Sequence, residues 1–121
     1  MIPKKTGFRH LWATVGYAFD GFMVLMKESA FKHEVMFLIF IFTLFALFNV
    51  VFYDYIIAMM LWCVLIAVEA INTAIEHIVD KISPEISDFA KKTKDLGSLA
   101  VFLMIAVNIM FVGLVLINSH Y

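Results

Sequence analysis

Three long apolar stretches limit the folds open to this sequence. Residues 35–53 run for 19 positions without a charge and residues 96–117 for 22, and residues 55–79 carry no charge for 14 positions before Glu69. A helix of about 20 residues crosses the roughly 30 Å of hydrocarbon in a bilayer, and it satisfies its own backbone groups there. The sequence therefore predicts an all-α membrane protein with transmembrane helices over about 31–53, 55–81 and 91–118.

Composition agrees with a membrane protein of one domain. With 64% hydrophobic residues among 121, the chain has more apolar side chains than a soluble core of that size can bury. We expect a single integral membrane domain over residues 1–121. A net charge of −1, with no continuous basic face, excludes nucleic-acid binding as a leading function.

Before the first span, apolar residues recur at helical spacing over about residues 7–28. Leu11, Val15 and Phe19 share one face with Trp12, and charged residues lie elsewhere around the helix. This pattern predicts an amphipathic helix on the membrane surface, with its aromatic rings at the lipid boundary. Packing of the same helix on the bundle, without lipid contact, is the alternative.

All nine Lys and Arg residues fall on one side of the predicted bilayer. Five precede the first span and four lie between the second and third spans: Lys4, Lys5, Arg9, Lys27, Lys32, Lys81, Lys91, Lys92 and Lys94. The positive-inside rule makes this side cytoplasmic. We therefore expect the N-terminus in the cytoplasm and the C-terminus on the outer side.

Two further polar residues are placed by the spans. We expect Asp54 in the short outer connection between the first and second spans. Asn108 lies deep in the third span, where an amide side chain usually bonds another helix, so we expect an interhelical hydrogen bond there.

The cytoplasmic end of the second span carries a polar stripe. At about 100° per residue, four side chains fall within about 60° of Glu69 around the helix axis: Asn72, Thr73, Glu76 and Asp80. Glu69 lies about 18 Å below Lys81 along the axis, which places it inside the apolar layer. An unpaired carboxylate there costs several kcal/mol, so a cation, a metal-bound phosphate or water must accompany these groups.

The third span opens with groups that complement this stripe, because Lys94, Asp95 and Ser98 lie at the level of Glu76. Carboxylates with an ammonium suit Mg²⁺ and phosphate: oxygen ligands hold the metal, and the cation balances the phosphate charge. From the residues alone, three functions stay open. They are a membrane-embedded phosphotransferase, a proton or cation carrier using Glu69 as a relay, and a structural, ion-paired bundle.

A longer motif separates these alternatives. Residues 69–76 read Glu-Ala-Ile-Asn-Thr-Ala-Ile-Glu, and residues 94–101 read Lys-Asp-Leu-Gly-Ser-Leu-Ala-Val. This pattern resembles the signature of the prokaryotic diacylglycerol kinases, small three-span membrane kinases with an N-terminal surface helix, and the similarity extends from residue 6 through the third span. The resemblance implies a homotrimeric helical bundle in a bacterial cytoplasmic (inner) membrane, with active sites shared between neighbouring subunits.

The resemblance also implies a reaction, the transfer of the ATP γ-phosphate to diacylglycerol with Mg²⁺ as cofactor, which gives phosphatidic acid. Residues 95–101 are more similar to the diacylglycerol-using branch than to the undecaprenol kinases, which stay the nearest alternative. A carrier would need polar groups that continue across the bilayer. Between the outer connection and Glu69, the second span offers only Cys63 and Trp62.

Roles for individual residues come from the same resemblance. Glu69 is implied as the general base on the lipid hydroxyl, oriented by Asn72, while Glu28 and Glu76 hold the metal. The nucleotide contacts are implied to be Tyr17, Glu28, Glu76, Glu85, Ser87, Lys94 and Asp95. The lipid substrate is bordered by Arg9, His10, Ala30, Phe31, Glu34, Glu69 and Ser98. The chain departs from the family pattern at Ser87, where a His is common, and at Lys91, where Gly is expected.

Overall fold

The computed structural model describes residues 7–85 and 87–119, and all four regular elements within them are α-helices. They are α1 (Gly7–Leu25), α2 (Ser29–Leu47), α3 (Phe52–Ile82) and α4 (Asp88–Asn118). Helices α2, α3 and α4 are long and apolar enough to cross a membrane. The prediction of an all-α membrane protein with one helix before three spans is confirmed. Lys4 and Lys5 lie outside the described residues, as does residue 6, where the similarity to the family begins.

Helices α3 and α4 form the main packed pair, and α1 and α2 both contact α3. Each of the two long helices has 31 residues, or about 46 Å at 1.5 Å per residue, which exceeds the roughly 30 Å of hydrocarbon. Part of each helix therefore lies beyond the apolar layer. The end of α3 and the start of α4 lie side by side, joined by Lys94 and Asp80, and carry the charged part of the motif.

The connection between α2 and α3 is shorter than the sequence suggests. Asn49 adopts a φ of 54°, a left-handed conformation that Asn tolerates better than most residues, and this turns the chain after α2. Because α3 already begins at Phe52, Asp54 lies in its first turn. The expectation that Asp54 belongs to the connection is wrong, since a carboxylate is favoured beside the free N–H groups of a helix start.

The connection between α3 and α4 is held by two serines. Ser87 caps α4, and its Oγ accepts a hydrogen bond from the Ala90 N–H at 3.0 Å. The Ser83 and Ser87 hydroxyl oxygens lie 2.9 Å apart, within hydrogen-bond distance. The turn between the two long helices is therefore fixed by side chains at both ends.

The half of the bundle next to the connection between α2 and α3 has an apolar core. Ile41 and Phe45 of α2 pack with side chains of α3 and α4, and the Tyr55 ring meets Phe45 edge-on at a centroid distance of 5.3 Å. The buried members of this cluster are Ile41, Phe45, Ala58, Val112 and Val115. Buried carboxyl groups are confined to the opposite half of α2 and α3.

Asn108 joins α4 to α3, as the sequence predicts. Its side chain is 4% exposed, and Nδ2 donates hydrogen bonds to the Leu61 carbonyl at 3.2 Å and to the Met104 carbonyl at 2.8 Å. The first of these bonds crosses between helices within the span. It therefore fixes the two long helices against each other beside the apolar core.

We expect Asn108→Ala to lower the free energy of unfolding by about 1 kcal/mol, because an interhelical hydrogen bond in a membrane contributes on that order. Unfolding in mixed micelles with increasing denaturing detergent measures this change. Asn118→Ala is the matched control, since Asn118 is exposed at the end of α4. Equal losses in the two variants would contradict the assignment.

Candidate active site

The polar stripe of α3 runs from a buried end to a solvated one. Glu69 and Asn72 are each 6% exposed, Glu76 is partly buried and Asp80 is exposed. The four side chains therefore form a gradient of burial along one face over about three turns of helix. A group that reacts with a membrane-embedded molecule fits the deep end, and a water-soluble ligand fits the shallow end.

Asn72 is hydrogen-bonded to one carboxylate of this stripe, Glu76, and to no other among the described residues. Its Nδ2 donates a hydrogen bond to Glu76 Oε1 at 2.9 Å, which fixes the amide and the carboxylate relative to each other. Its Oδ1 is buried and has no hydrogen-bond partner among the described residues. The hydrogen-bonding capacity of this oxygen is therefore unused, which is uncommon for a buried polar atom.

Gly97 makes room for this amide. A Cβ built at Gly97 on α4 would overlap Asn72 Oδ1, whereas a Cβ at Gly113 on the same helix would meet nothing within 4 Å. The absence of a side chain at position 97 therefore lets α4 approach Asn72 closely. Sequence reasoning recognised Gly97 only as part of the motif, and its place opposite Asn72 depends on how the two helices are rotated.

Glu34 of α2 meets the deep end of the stripe. It is 7% exposed, its carboxyl group is in hydrogen-bond contact with that of Glu69, and its Oε2 has no partner among the described residues. The Trp62 Nε1 of α3 donates a hydrogen bond to the Glu34 carbonyl at 2.9 Å. Sequence reasoning placed Glu34 at the lipid border and missed its contact with Glu69, because the two residues lie on different helices.

Phe31 also packs inside the chain. It is buried, and its ring meets Phe22 of α1 edge-on at 5.6 Å and Trp62 of α3 at 6.4 Å between centroids. These contacts hold the start of α2 between α1 and α3. Phe31 therefore lies one helical turn before Glu34 on α2, near the deep end of the stripe.

The shallow end of the site contains two ion pairs. Lys94 of α4 binds Asp80 of α3, and Lys91 binds Asp95 one turn along α4 with an Nζ to Oδ2 distance of 2.7 Å. Both pairs are largely exposed, so each contributes little to stability and is open to exchange with another ion. Sequence reasoning placed Asp80 on the stripe without a role and did not predict that Lys94 binds it.

A polar pocket of about 190 Å³ lies beside these ion pairs. Glu85, Ser87 and Lys94, which the family resemblance assigns to the nucleotide, line this pocket together with Lys91. Its full lining is Asp80, Ser83, Pro84, Glu85, Ser87, Ala90, Lys91 and Lys94. Two ammonium groups, two carboxylates and two hydroxyl groups line the pocket, so it offers hydrogen-bond donors and acceptors of both charges to a polar ligand.

An apolar groove of about 530 Å³ separates α1 from α3. Its α3 wall includes Ala70 and Thr73, which are next to the deep end of the stripe, and its α1 wall is formed mainly by apolar side chains. The lining residues are Ala18, Gly21, Phe22, Val24, Leu25, Cys63, Ile66, Ala67, Ala70, Thr73, Ala74 and His77. Glu69 itself does not line the groove, and its neighbour Ala70 does.

Other candidate residues lie apart from the stripe. Arg9, His10 and Tyr17 are exposed on α1, and among the described residues no side-chain hydrogen bond or ion pair joins them to α3. Ser98 is exposed on α4 and Ala30 is partly buried on α2. The single chain therefore gathers the α2, α3 and α4 candidates more closely than those on α1.

The proposed metal ligands occupy different helices. Glu28 is the N-cap residue of α2, but its side chain makes no capping hydrogen bond, and Glu76 is held by Asn72 on α3. Within the described residues, no group of three or more His, Cys, Asp or Glu side chains is arranged around a metal position. Mg²⁺ commonly takes only one or two carboxylates and completes its shell with phosphate and water.

Comparisons with known proteins agree with the motif. A family model described as prokaryotic diacylglycerol kinase matches residues 16–116. A diacylglycerol kinase of Sinorhizobium sp is 40% identical over 120 residues, which cover 99% of this chain and 88% of that protein. The diacylglycerol kinase of Escherichia coli K12 is 27% identical over 100% of this chain and 99% of its own length. That of Haemophilus influenzae is 29% identical over 86% of this chain and 89% of its own length. The chain belongs to the prokaryotic diacylglycerol kinase family.

Proposed function

We propose that this protein transfers the γ-phosphate of ATP to the free hydroxyl of diacylglycerol and forms phosphatidic acid. The observation that carries the proposal is the burial gradient along α3, from the buried Glu69 to the exposed Asp80. A lipid hydroxyl stays near the headgroup boundary and a nucleotide stays in water. A stripe that joins both levels brings the two substrates together.

Glu69 acts as the general base. It accepts the proton of the lipid hydroxyl while that oxygen forms a bond to the γ-phosphorus, and the bond from this phosphorus to the β,γ-bridging oxygen breaks with its electrons going to ADP. Phosphoryl transfer needs little covalent help from a protein and depends mainly on position and on charge neutralisation. A chain of 121 residues supplies both with a few side chains.

Asn72 and the shallow residues place the phosphates. The Asn72 amide holds Glu76, and its own buried Oδ1 has no partner among the described residues, while Lys94 supplies a positive charge near the nucleotide. We assign the nucleotide contacts to Tyr17, Glu28, Glu76, Glu85, Ser87, Lys94 and Asp95. For the lipid, the family resemblance implies contacts at Arg9, His10, Ala30, Phe31, Glu34, Glu69 and Ser98.

The oxygen donors of the stripe fit Mg²⁺. Glu76 is a carboxylate with restricted orientation and Asn72 Oδ1 is an unpartnered acceptor, and both are the hard ligands that this ion prefers. Glu28 and Glu76 would hold Mg²⁺ together with the phosphates of ATP, and the ion would neutralise charge that develops during transfer.

The groove between α1 and α3 supports a lipid acceptor. It is lined mainly by apolar side chains and reaches Ala70 and Thr73, the neighbours of Glu69 and Asn72. An acyl chain lying in this groove would place its glycerol end at the deep end of the stripe. The groove explains how a bilayer lipid reaches a buried base without leaving the membrane.

We propose that the protein lies in the bacterial cytoplasmic membrane with the N-terminus inside and the C-terminus outside. The end of α3 and the start of α4 carry Lys81, Lys91, Lys92 and Lys94, whereas the connection between α2 and α3 carries no cation. The positive-inside rule therefore favours a cytoplasmic active site, on the side where ATP is available.

We also propose a homotrimer in which neighbouring subunits complete each active site, as the family resemblance implies. The placement of the candidates supports this arrangement. The α3 stripe is gathered within one chain, while Arg9, His10 and Tyr17 are exposed on α1, where a neighbour can approach them.

The reaction is tested with purified protein in lipid vesicles that contain diacylglycerol, supplied with ATP labelled in its γ-phosphate. We expect label in phosphatidic acid, no label after chelation of Mg²⁺, and a loss of at least about 100-fold in Glu69→Gln, since a general base typically contributes 10² to 10⁴. Parallel vesicles with undecaprenol test the nearest alternative. Label in undecaprenyl phosphate alone would show that undecaprenol, not diacylglycerol, is the acceptor. Proton flux without ATP would favour a carrier.

Gly97→Ala tests the role of the Asn72 amide. The new Cβ would displace Asn72 Oδ1 and loosen the bond to Glu76, so we expect kcat to fall about tenfold or more while the protein still folds. Gly113→Ala is the matched control on the same helix, because its Cβ meets nothing within 4 Å and kcat should be unchanged. Equal activity in the two variants would contradict the proposed role of Asn72.

Shared active sites are tested by mixing inactive subunits. Trimers assembled from Glu28→Gln and Glu69→Gln subunits should regain activity, because some sites then combine an intact α3 from one subunit with an intact Glu28 from another. A mixture of Glu69→Gln with Glu76→Gln is the control and should stay inactive, since every α3 is then impaired. No recovery in the first mixture would contradict completion of the site by Glu28 of a neighbour.

A further inference from the structure

The contact between Glu34 and Glu69 indicates that Glu34 acts on Glu69 and does not only border the lipid. Both residues are more than nine-tenths buried, they come from different helices, and their carboxyl groups meet in hydrogen-bond contact. A hydrogen bond between two carboxyl groups requires a proton, because a carboxylate can only accept. One of the two therefore donates and the other accepts.

The surroundings indicate which group donates. The second oxygen of Glu34, Oε2, is buried without a hydrogen-bond partner among the described residues. A negative charge on a group with an unpartnered oxygen is costly in an apolar layer, whereas a neutral carboxyl group is tolerated there. Glu34 is thus suited to donate and Glu69 to accept.

The backbone of Glu34 is also fixed relative to Glu69. Trp62 lies about two turns before Glu69 on α3, and its indole N–H donates to the Glu34 carbonyl at 2.9 Å. The Phe31 ring packs on the same indole. This tether holds α2 at one height along α3, and that height brings the two carboxyl groups together.

We propose that Glu34 is a positioning residue that acts through Glu69: its neutral carboxyl group donates a hydrogen bond to one Glu69 oxygen and leaves the other oxygen aimed at the lipid hydroxyl. The proposal rests on the proposed function, in which Glu69 is the base. It gives Glu34 a role different from the direct lipid contact that the family resemblance implies.

This arrangement has a defined consequence for the transfer step. The proton of the lipid hydroxyl goes to the free Glu69 oxygen, the lipid oxygen bonds to the γ-phosphorus, and ADP leaves with the bridging oxygen. The Glu34 proton stays on Glu34 throughout. Holding the base in a single orientation lowers the barrier to transfer without changing how tightly either substrate binds, so the effect belongs in kcat.

Two substitutions of Glu34 separate the hydrogen bond from the shape of the side chain. Glu34→Gln keeps a donor of nearly the same size, and Glu34→Met keeps the length and removes the donor. We expect Glu34→Met to lower kcat about tenfold or more and Glu34→Gln to retain it within about threefold, with both KM values within about twofold of the parent protein. Asn108→Ala is the control for loss of a buried polar group, and its kcat should be unchanged.

Several results would overturn the proposal. A raised KM for diacylglycerol with unchanged kcat in Glu34→Met would show direct lipid contact instead, and equal impairment of Glu34→Gln and Glu34→Met would show that the donor is irrelevant. If Glu34→Met does not fold, Trp62→Phe removes the tether while keeping both carboxyl groups. It should lower kcat with KM unchanged, and an unchanged kcat would also overturn the proposal.

The same measurements keep this proposal separate from the proposed function. A parent protein that makes no phosphatidic acid, or a fully active Glu69→Gln variant, refutes the kinase assignment or the base. An active parent protein and an inactive Glu69→Gln variant, combined with any of the overturning results for Glu34 or Trp62, refute only the positioning role.

Discussion

The cost of placing carboxyl groups inside an apolar layer governs this structure. Each such group needs a partner, because water is scarce at that depth and an isolated charge is unfavourable. Glu69 meets Glu34 across two helices, and Glu76 is held by Asn72 within one helix. Among the described residues, one buried oxygen on Glu34 and one on Asn72 have no hydrogen-bond partner, which distinguishes the cluster from a fully ion-paired core.

The apolar core and the candidate active site lie in opposite halves of the bundle. The half of the bundle next to the connection between α2 and α3 contains interdigitated apolar and aromatic side chains around Phe45, and Asn108 fixes α4 to α3 beside it. The other half carries the stripe, the groove and the ion pairs. Because α3 and α4 are about 46 Å long, part of each helix extends beyond the hydrocarbon, and the proposed orientation places the nucleotide residues there.

The sequence predicted the parts of this arrangement that depend on one helix at a time. Hydropathy located the three spans, and helical periodicity placed Glu69, Asn72 and Glu76 on one face. Asn108 was also predicted correctly, since a lone amide in a span has few uses other than bonding a neighbouring helix. The family followed from the length and specificity of the motif, and the comparisons agree with it.

Contacts between helices were not predictable in the same way. A helical wheel gives angles within one segment and contains no information on the rotation or height of the next segment. The contact of Glu34 with Glu69, the approach of Gly97 to Asn72 and the binding of Lys94 to Asp80 all depend on those two quantities. Asp54 was misplaced for a smaller reason, because a helix can start within a few residues of a left-handed turn.

The exposed ion pairs where α3 ends and α4 begins affect how fast nucleotides can enter and leave the proposed site. Lys94 and Asp95 each have a partner on the protein, so both are already neutralised when the pocket is empty of phosphate and again when ADP departs. Exchange of one solvated anion for another needs little desolvation, which favours rapid entry and exit of nucleotides. Charges this exposed are also screened within about 8 Å at physiological ionic strength. Nucleotide turnover is therefore expected to respond to salt, while proton removal by the buried Glu69 is shielded from it.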